Sequence, residues 1–335
     1  MKPLLFCILL LAWAVGQADD KSSSGPIAPL FTAGDIVDVT IRAPIAEIMK
    51  IRSLDEDTPG TFTYLDAESG DDATLDIGIR TRGRFRHDRR NCSFAPLRLH
   101  FKKPKGTLLA KSSKLKLVTH CRTGSDRYEQ VLLKEYLAYR ILNTVTDRSF
   151  RVRLLRIRYE DSDNEAIIET YGILLEHRNQ LGKRIGMQVD NSESTTIAAL
   201  DGAYTNLVSI FQYLIGNTDF SPIKAPPGER CCHNHVLMKN DSTQISVPYD
   251  FDMAGIVSAP YAKPNARFKL RSVRQRLYRG RCANNEHLET TLQTFRDRRE
   301  AIFGLVADLD ALNSSEKTKT TRYIDDFYKI VDEPR

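Results

Sequence analysis

The chain has 335 residues, of which 41% are hydrophobic and 27% are charged. These proportions are ordinary for a globular protein. The formal charge of +6 comes from 49 Lys and Arg residues set against 43 Asp and Glu residues. This mild basic excess is compatible with an anionic ligand but falls well short of a nucleic-acid-binding signature, so no nucleic-acid partner is expected.

The N-terminus predicts a secretion signal. Lys2 precedes an apolar run over residues 4–15, and the small residues Gly16 and Ala18 follow it. This is the three-part plan of a cleavable signal peptide over residues 1–18. The run is too short to cross a bilayer, which takes roughly 20 residues. We therefore expect a periplasmic or extracellular protein with no membrane span after cleavage, and an uncleaved anchor is the alternative.

The cysteines predict disulfides. Cys7 lies in the signal, and the other five are Cys92, Cys121, Cys231, Cys232 and Cys282. In an oxidising compartment an odd number implies up to two disulfides and one free thiol. Because a bond between chain neighbours is strained, we expect Cys231 and Cys232 to pair elsewhere. The sequence leaves the connectivity open.

The hydrophobic pattern changes its period along the chain. Alternation predicts strands, and spacings of three and four residues predict helices over 128–145 and 195–215 and at two C-terminal stripes, 288–306 and 323–330. The predicted strands cover residues 38–42, 74–80, 97–101, 114–119, 152–159, 167–175, 235–238 and 245–249.

This order of elements predicts an α+β protein with two lobes. Residues 19–34 are polar and predict a flexible lead-in. Residues 35–176 predict a β-rich N-terminal lobe with one helix, and residues 177–335 a mainly helical C-terminal lobe that carries metal and nucleotide loops.

Polar residues follow three consecutive elements in the second half of the chain. Asp219 follows a predicted helix, Asn234 precedes a strand, and Asp250 and Asp252 follow the next strand. Phosphoryl transfer needs a carboxylate that orients the attacking hydroxyl, and oxygen ligands that hold Mg²⁺ against nucleotide phosphates. Taken singly, each residue is better explained as a turn former or cap. Their order favours a functional interpretation.

These residues and several upstream segments resemble the spore-coat-protein-H (CotH) kinase-like family, whose members are atypical secreted or surface-associated protein kinases. The resemblance implies a divergent two-lobed protein-kinase-like fold with a β-rich N-lobe and a mainly helical C-lobe. The matching segments lie between about residues 75 and 255 and are Ile79–Gly83, Leu97–Phe101, Leu132–Tyr139, Tyr171–Glu176, Gly216–Asp219, Asn234 and Tyr249–Gly255.

The resemblance also implies roles for individual residues. Asp219 would be the catalytic base, Asn234 and Asp250 the metal ligands, and Asp252 a second ligand or a support. The implied cofactor is Mg²⁺ or Mn²⁺ with ATP. The implied reaction transfers phosphate to a hydroxyl of an unknown protein or envelope acceptor.

Nucleotide binding is implied for a second group. Lys116 and Glu135 would form the anchoring ion pair, with Lys114 and Arg98 as rivals for the cation. Glu176 would lie at the lobe junction near the adenine. A turn that contains Arg82 and Gly83 would cover the phosphates.

Two features depart from the family pattern. Asp219 and Asn234 are 15 residues apart, whereas ordinary protein kinases place the Asn five residues after the Asp. The turn at Gly83 also lacks small polar neighbours. Either departure is consistent with an inactive relative that binds nucleotide but does not transfer phosphate.

Two further alternatives stay open. One is a metal-dependent phosphoesterase that adds His233 and His235 to the acidic set. The other is a structural envelope protein. The basic segment Arg271–Arg281 predicts either a site for an acidic partner or a solvated helix.

Overall fold

A computed structural model describes residues 27–67 and 69–333. The predicted signal peptide and the first part of the predicted lead-in lie outside these residues. All seven strands of the main sheet fall between residues 37 and 175. They are β1 (Val37–Ala43), β2 (Thr58–Leu65), β3 (Asp72–Thr81), β4 (Leu97–Phe101), β5 (Lys114–Val118), β6 (Val152–Asp161) and β7 (Ile167–Leu175).

The main sheet closes on itself as a barrel in the order β1-β2-β3-β4-β5-β7-β6. The closing pair is parallel, from Val37 opposite Leu155 to Ala43 opposite Asp161. The other neighbours are antiparallel. Closure leaves this sheet without an exposed edge that could pair with another chain.

Alternating side chains of the strands fill the barrel. Ile41, Ile77, Leu99, Leu117 and Leu155 are fully buried, as the two-residue side-chain period of a strand requires when one face meets a core. A short helix, α1 (Ile45–Ile51), follows β1 directly.

The other helices pack outside the barrel. In the described residues they are α2 (Asp126–Val145), α3 (Arg178–Arg184), α4 (Gly202–Ile215), α5 (Leu288–Asp297), α6 (Arg299–Ala307) and α7 (Ser314–Asp332). Helix α2 lies against β6 and β7 on one side and α6 on the other. It is therefore buried along most of its length.

A second sheet carries the loops of interest. Its three antiparallel strands are β8 (Gln188–Val189), β9 (His235–Lys239) and β10 (Gln244–Pro248), in the order β10-β9-β8. Helix α4 contacts β10. The end of α4, the start of β9 and the end of β10 therefore come together.

The predicted two-lobed kinase-like fold is wrong. The chain forms a closed seven-stranded barrel with a small second sheet and seven α-helices in its described part. The parallel pairing of β1 with β6 closes the sheet. These strands are more than 100 residues apart, and local alternation carries no information about such a partner.

Several predicted elements are confirmed, including 97–101 and 167–175. The helix predicted over 195–215 begins later, because Asp201 caps α4 by accepting a hydrogen bond from the Tyr204 amide. The stripe over 288–306 is divided into two helices at Arg298. Helices α1 and α3 and strands β2 and β8 were not predicted.

The prediction of two disulfides and one free thiol is confirmed. Cys92 pairs with Cys121, and Cys282 is free and exposed. The expectation that Cys231 and Cys232 pair elsewhere is wrong, because they are bonded to each other. Within residues 27–67 and 69–333, no helix is both long and apolar enough to cross a membrane.

Candidate functional site

Asp219 lies in the loop after α4. The helix ends at Gly216, whose φ of 66° suits glycine. The side-chain oxygen of Asn217 then accepts a hydrogen bond from the Asp219 amide at 2.9 Å. Asn234 donates from Nδ2 to the Asp219 carbonyl at 2.7 Å and to its carboxylate at 3.1 Å. The structure thus brings together two predicted residues that are 15 positions apart.

His233 completes this group. Its Nε2 lies 2.9 Å from Oδ1 of Asp219, and this hydrogen bond raises the pKa of His233. Both side chains are partly exposed, so the pair can reach a substrate. The family resemblance assigned no role to His233. In the sequence, the position of His233 directly before Asn234 was the feature that could have indicated a role at the site.

His235 is not part of the site. It is buried, its Nδ1 lies 3.1 Å from the Ser246 carbonyl, and burial lowers its pKa to about 3. Its ring stacks on Phe220 at 5.4 Å. The phosphoesterase alternative loses one of its two histidines.

Arg279 holds the backbone on both sides of Asp219. One guanidinium nitrogen donates to the Thr218 carbonyl at 3.0 Å and to the Phe220 carbonyl at 2.7 Å. The group also lies over the rings of Phe220 and Phe268 at 4.4 and 4.6 Å. The sequence had suggested a partner site or a solvated helix for the surrounding Arg271–Arg281 segment, and this contact was not predicted.

The two aspartates after β10 occupy different environments. Asp250 has a φ of 65°, and its amide donates to the Tyr139 hydroxyl at 2.8 Å. Asp252 is buried and accepts a hydrogen bond from Tyr261 at 3.0 Å. Burial, with the charge of Asp250 second, raises the pKa of Asp252 to about 7.

The partner of Glu135 is Arg86, not Lys116. Glu135 is 1% exposed, and its Oε2 lies 3.8 Å from Arg86. Burial first, and Asp252 next, raise the pKa of Glu135. Arg86 is held by the Thr119 carbonyl. The predicted ion pair between Lys116 and Glu135 is absent from the described residues, and the sequence analysis missed Arg86.

The carboxylates of Glu135, Asp250 and Asp252 lie close enough to repel one another when ionised, and burial favours the protonated forms of Glu135 and Asp252. Oε1 of Glu135 is buried without a hydrogen-bond partner in the described part of the chain, and Asp250 and Asp252 both raise the pKa of Glu135. A divalent cation bound here would relieve this repulsion, and Asp250, Asp252 and Asn234 are the residues that would hold it.

The donor set suits the same cation. The side chains of Asp250, Asp252 and Asn234 carry oxygen atoms, which is the ligand type that Mg²⁺ prefers. In the described residues no three His, Cys, Asp or Glu side chains already converge on one point. Mg²⁺ usually takes one or two carboxylates together with substrate phosphates, so a preformed three-carboxylate cage is not required.

A basic cavity of about 300 Å³ is lined in part by Tyr249, the chain neighbour of Asp250. Lys116 lies at its wall, 4.4 Å above the Tyr249 ring. Burial, with Arg82 second, lowers the pKa of Lys116 to about 7. The cavity is lined by Arg98, Lys114, Leu115, Lys116, Phe150, Leu175, Glu176, His177, Arg178, Val236 and Tyr249.

The Glu176 carboxylate is fully engaged elsewhere. It accepts hydrogen bonds from Arg184 at 3.0 and 2.8 Å and from the Arg151 amide at 3.0 Å. Both Glu176 and Arg184 are buried. The residue borders the cavity, but this ion pair gives its carboxylate a structural role.

The loop after β3 contains Arg82 and Gly83. Gly83 has a φ of 88°, a conformation that favours glycine. The Arg82 amide donates to the Pro96 carbonyl at 2.8 Å. The charge of Arg82 lowers the pKa of Lys116, so its side chain adds to the positive field of the cavity.

Comparison with known proteins assigns neither a family nor a function to the chain. No protein-family model matches the chain, and no curated protein is significantly similar to it. The geometry itself offers an aspartate held by His233 and Asn234, a group of carboxylates and a basic cavity. The cations of the cavity can hold an anion, and the Asp219 carboxylate can accept a hydrogen bond from a hydroxyl group.

Proposed function

We propose that this protein is an exported metal-dependent phosphotransferase, which moves a phosphoryl group from a nucleotide to a hydroxyl of a protein or envelope component. The supporting observation is that Lys116, in the wall of the basic cavity, lies near enough to Asp250 for that carboxylate to act on its pKa, against the larger effects of burial and of Arg82. Unpaired cations surround the basic cavity, and carboxylates adjoin it. The two disulfides support the exported location, because such bonds persist in oxidising compartments.

The cations are available to an anion. None of Arg98, Lys114, Lys116 and Arg178 forms an ion pair within residues 27–67 and 69–333. After burial, their mutual repulsion lowers the pKa of Lys116 and of His177. A bound phosphate chain would relieve this repulsion, since guanidinium and ammonium groups form charge-assisted hydrogen bonds with phosphate.

Asp219 is placed to take up the proton of the attacking hydroxyl. His233 and Asn234 orient its carboxylate, and Arg279 fixes the backbone around it. When bound, Mg²⁺ would neutralise charge on the transferred phosphate. The protein would then position the reactants and stabilise the transition state electrostatically, and these two effects account for most of phosphoryl-transfer catalysis.

The experiment compares the mature protein with three variants by thermal shift with ATP and Mg²⁺ and by phosphate transfer to protein and envelope fractions. Asp250→Asn is expected to lose the nucleotide-dependent shift, because a ligand that binds only the folded state stabilises it. Asparagine also tolerates the left-handed backbone at this position. Asp219→Asn is expected to keep the shift and lose transfer.

The matched control is Asp241→Asn, at an exposed turn between β9 and β10. It is expected to behave as the wild type in both assays. A folded wild-type protein that shows no shift with ATP and Mg²⁺ would overturn the proposal. A shift without transfer would support the non-catalytic nucleotide-binding alternative.

A further inference from the structure

A second cavity, of about 240 Å³, adjoins the basic cavity. It lies between helix α3 and the loop that joins β4 to β5. Lys114 and His177 line both cavities, so one ligand could contact the two together. The other residues that line the second cavity are Lys111, Ser112, Ser113, Asn179, Gln180 and Lys183.

The lysines of the second cavity have no counter-ions. Lys111, Lys114 and Lys183 are exposed, and within residues 27–67 and 69–333 none of them forms an ion pair. The described residues that line this cavity include no Asp or Glu. Three positive charges therefore border an open space without a carboxylate to offset them. Such a field favours an anionic ligand.

The positive fields of the two cavities overlap at His177. After burial, the charges of Arg178, Lys116, Arg98 and Lys114 lower the pKa of this residue. All four are cations, and Lys114 belongs to both cavities. An anion bound on either side of His177 would reduce this repulsion.

Neutral donors complete the lining. The side chains of Ser113 and Asn179 are exposed and form no hydrogen bond within the described residues. Gln180 has a different role, because its Nε2 donates to the Ser112 hydroxyl at 3.2 Å and to the Lys111 carbonyl. These bonds hold the β4–β5 loop against α3.

The chemistry of this lining is that of an oxyanion site. No apolar residue is among the described residues that line the second cavity, so a nucleobase would find little surface to pack against. Ammonium groups bind phosphate as point charges through charge-assisted hydrogen bonds. Hydroxyl and amide groups can donate to the remaining phosphate oxygens.

We propose that the second cavity binds phosphate, and that the ligand of this protein is a linear phosphate chain with groups in both cavities. The chain is either inorganic polyphosphate or part of a nucleoside polyphosphate. This inference rests on the phosphate binding proposed for the basic cavity. A chain suits the arrangement, because a phosphate tethered at the first cavity reaches the second at a high effective concentration.

The test compares tripolyphosphate with a longer linear polyphosphate by isothermal titration calorimetry on the mature chain, with Mg²⁺ held constant. The wild type is expected to bind the longer chain roughly tenfold more tightly, the effect of about one charge-assisted hydrogen bond. The double variant with Lys111→Gln and Lys183→Gln is expected to lose this preference and keep its affinity for tripolyphosphate.

A second pair of ligands distinguishes the sources of the chain. ATP and adenosine tetraphosphate are compared in the same proteins. A preference for the tetraphosphate that the double variant loses supports a nucleoside polyphosphate. A preference confined to the inorganic chains supports inorganic polyphosphate.

The matched control is the double variant with Lys102→Gln and Lys105→Gln. Both lysines are exposed in the same loop and line neither cavity, so the change in net charge is identical. This control is expected to keep the preference for the longer chain. If it loses the preference as well, the attraction is general and the proposal is overturned.

Two other results would also overturn the proposal. One is equal affinity of the wild type for short and long chains in both pairs of ligands, and the other is a preference that persists in the variant of Lys111 and Lys183. Failure of the nucleotide-dependent function is distinguishable from both. In that case ATP with Mg²⁺ gives no thermal shift, while the longer inorganic chain still binds through Lys111 and Lys183.

Discussion

His233 and Asp219 form a hydrogen-bonded pair, with 2.9 Å between Nε2 of the imidazole and Oδ1 of the carboxylate. The two residues belong to different elements, because Asp219 follows α4 and His233 precedes β9. The backbone amide of Ser221 also donates to the His233 carbonyl at 3.0 Å. The residues between them form a loop, and these hydrogen bonds join its two ends at the site.

This pair leads to a prediction about turnover. Asp219→Asn is expected to lower phosphoryl transfer by roughly 10²–10⁴-fold, the usual contribution of a general base, with the nucleotide-dependent thermal shift retained. His233→Gln is expected to cause a smaller loss, because Asn234 still orients Asp219. Steady-state kinetics and thermal shift measure the two effects. His287→Gln is the control, and a normal rate in Asp219→Asn would exclude Asp219 as the base.

A second prediction concerns Arg279. Arg279→Gln removes charge-assisted hydrogen bonds to Thr218 and Phe220, so we expect turnover to fall at least roughly tenfold with nucleotide binding unchanged. The rate of amide hydrogen exchange over residues 217–220 is expected to rise, because the loop becomes more mobile. This measurement does not require the protein to turn over substrate.

Arg279→Lys is expected to rescue only part of this effect, since an ammonium cannot reproduce the planar stacking on Phe220 and Phe268. The exposed Arg271 provides the control variant Arg271→Gln. Unchanged exchange over residues 217–220 in Arg279→Gln would contradict the positioning role.

The third prediction is a pH dependence of nucleotide affinity. The pKa of Lys116 is lowered to about 7, so its positive charge is present below this value and is lost as the pH rises through it. A bound anion favours the charged form, which moves the loss to somewhat higher pH. Between pH 7 and 9 the dissociation constant for ATP with Mg²⁺ is therefore expected to rise.

Isothermal titration calorimetry across this range measures the effect. Lys116→Met is expected to bind more weakly at pH 7 and to show a flat profile. Lys114→Met is the matched control, because it removes a neighbouring cation of the same cavity and should keep the slope. An equal slope in Lys116→Met and in the wild type would assign the titration to another group.

The fourth prediction separates structure from function at Glu176. Glu176→Gln leaves Arg184 as a buried charge without its counter-ion, and the free energy of unfolding is expected to fall by about 3–5 kcal/mol. Urea denaturation measures this change. The double variant with Glu176→Leu and Arg184→Leu is expected to recover much of the loss, and Glu193→Gln should have little effect.

Nucleotide affinity gives the second readout. Because the Glu176 carboxylate is occupied by Arg184 and Arg151, folded Glu176→Gln protein is expected to bind ATP as the wild type does. A stable variant with weakened binding would instead support the adenine-side role that the family resemblance implies.

Local patterns were sufficient for many elements. Alternation predicted the strands at 97–101 and 167–175, and helical spacing predicted α2 almost to its ends. These patterns succeed because a strand or helix with one buried face must repeat apolar residues with its own period. Short elements such as α1 and α3 carry too few residues for a period to show.

The ion-pair partners of charged residues were harder to predict from the sequence. The sequence predicted that Asp219, Asn234, Asp250 and Asp252 lie in loops at the ends of consecutive regular elements, and their order indicated a shared function. The family resemblance implied an ion pair between Glu135 and Lys116, with Lys114 and Arg98 as rivals, whereas the structure pairs Glu135 with Arg86 from the loop after β3. Which cation reaches a buried carboxylate depends on the path of a loop, and loops have no periodicity.

The sequence by itself determined most of the strands, the longer helices, the number and positions of the cysteines and the order of the polar residues around Asp219. All of these follow from local spacing and chemistry. Only the tertiary structure decided that β1 closes the sheet against β6 and that Cys231 bonds to Cys232. It also decided that Arg279 clamps the Asp219 loop. The first and last of these join residues distant in the chain through the packing of the whole molecule, and the disulfide depends on local backbone geometry that side-chain periodicity does not encode.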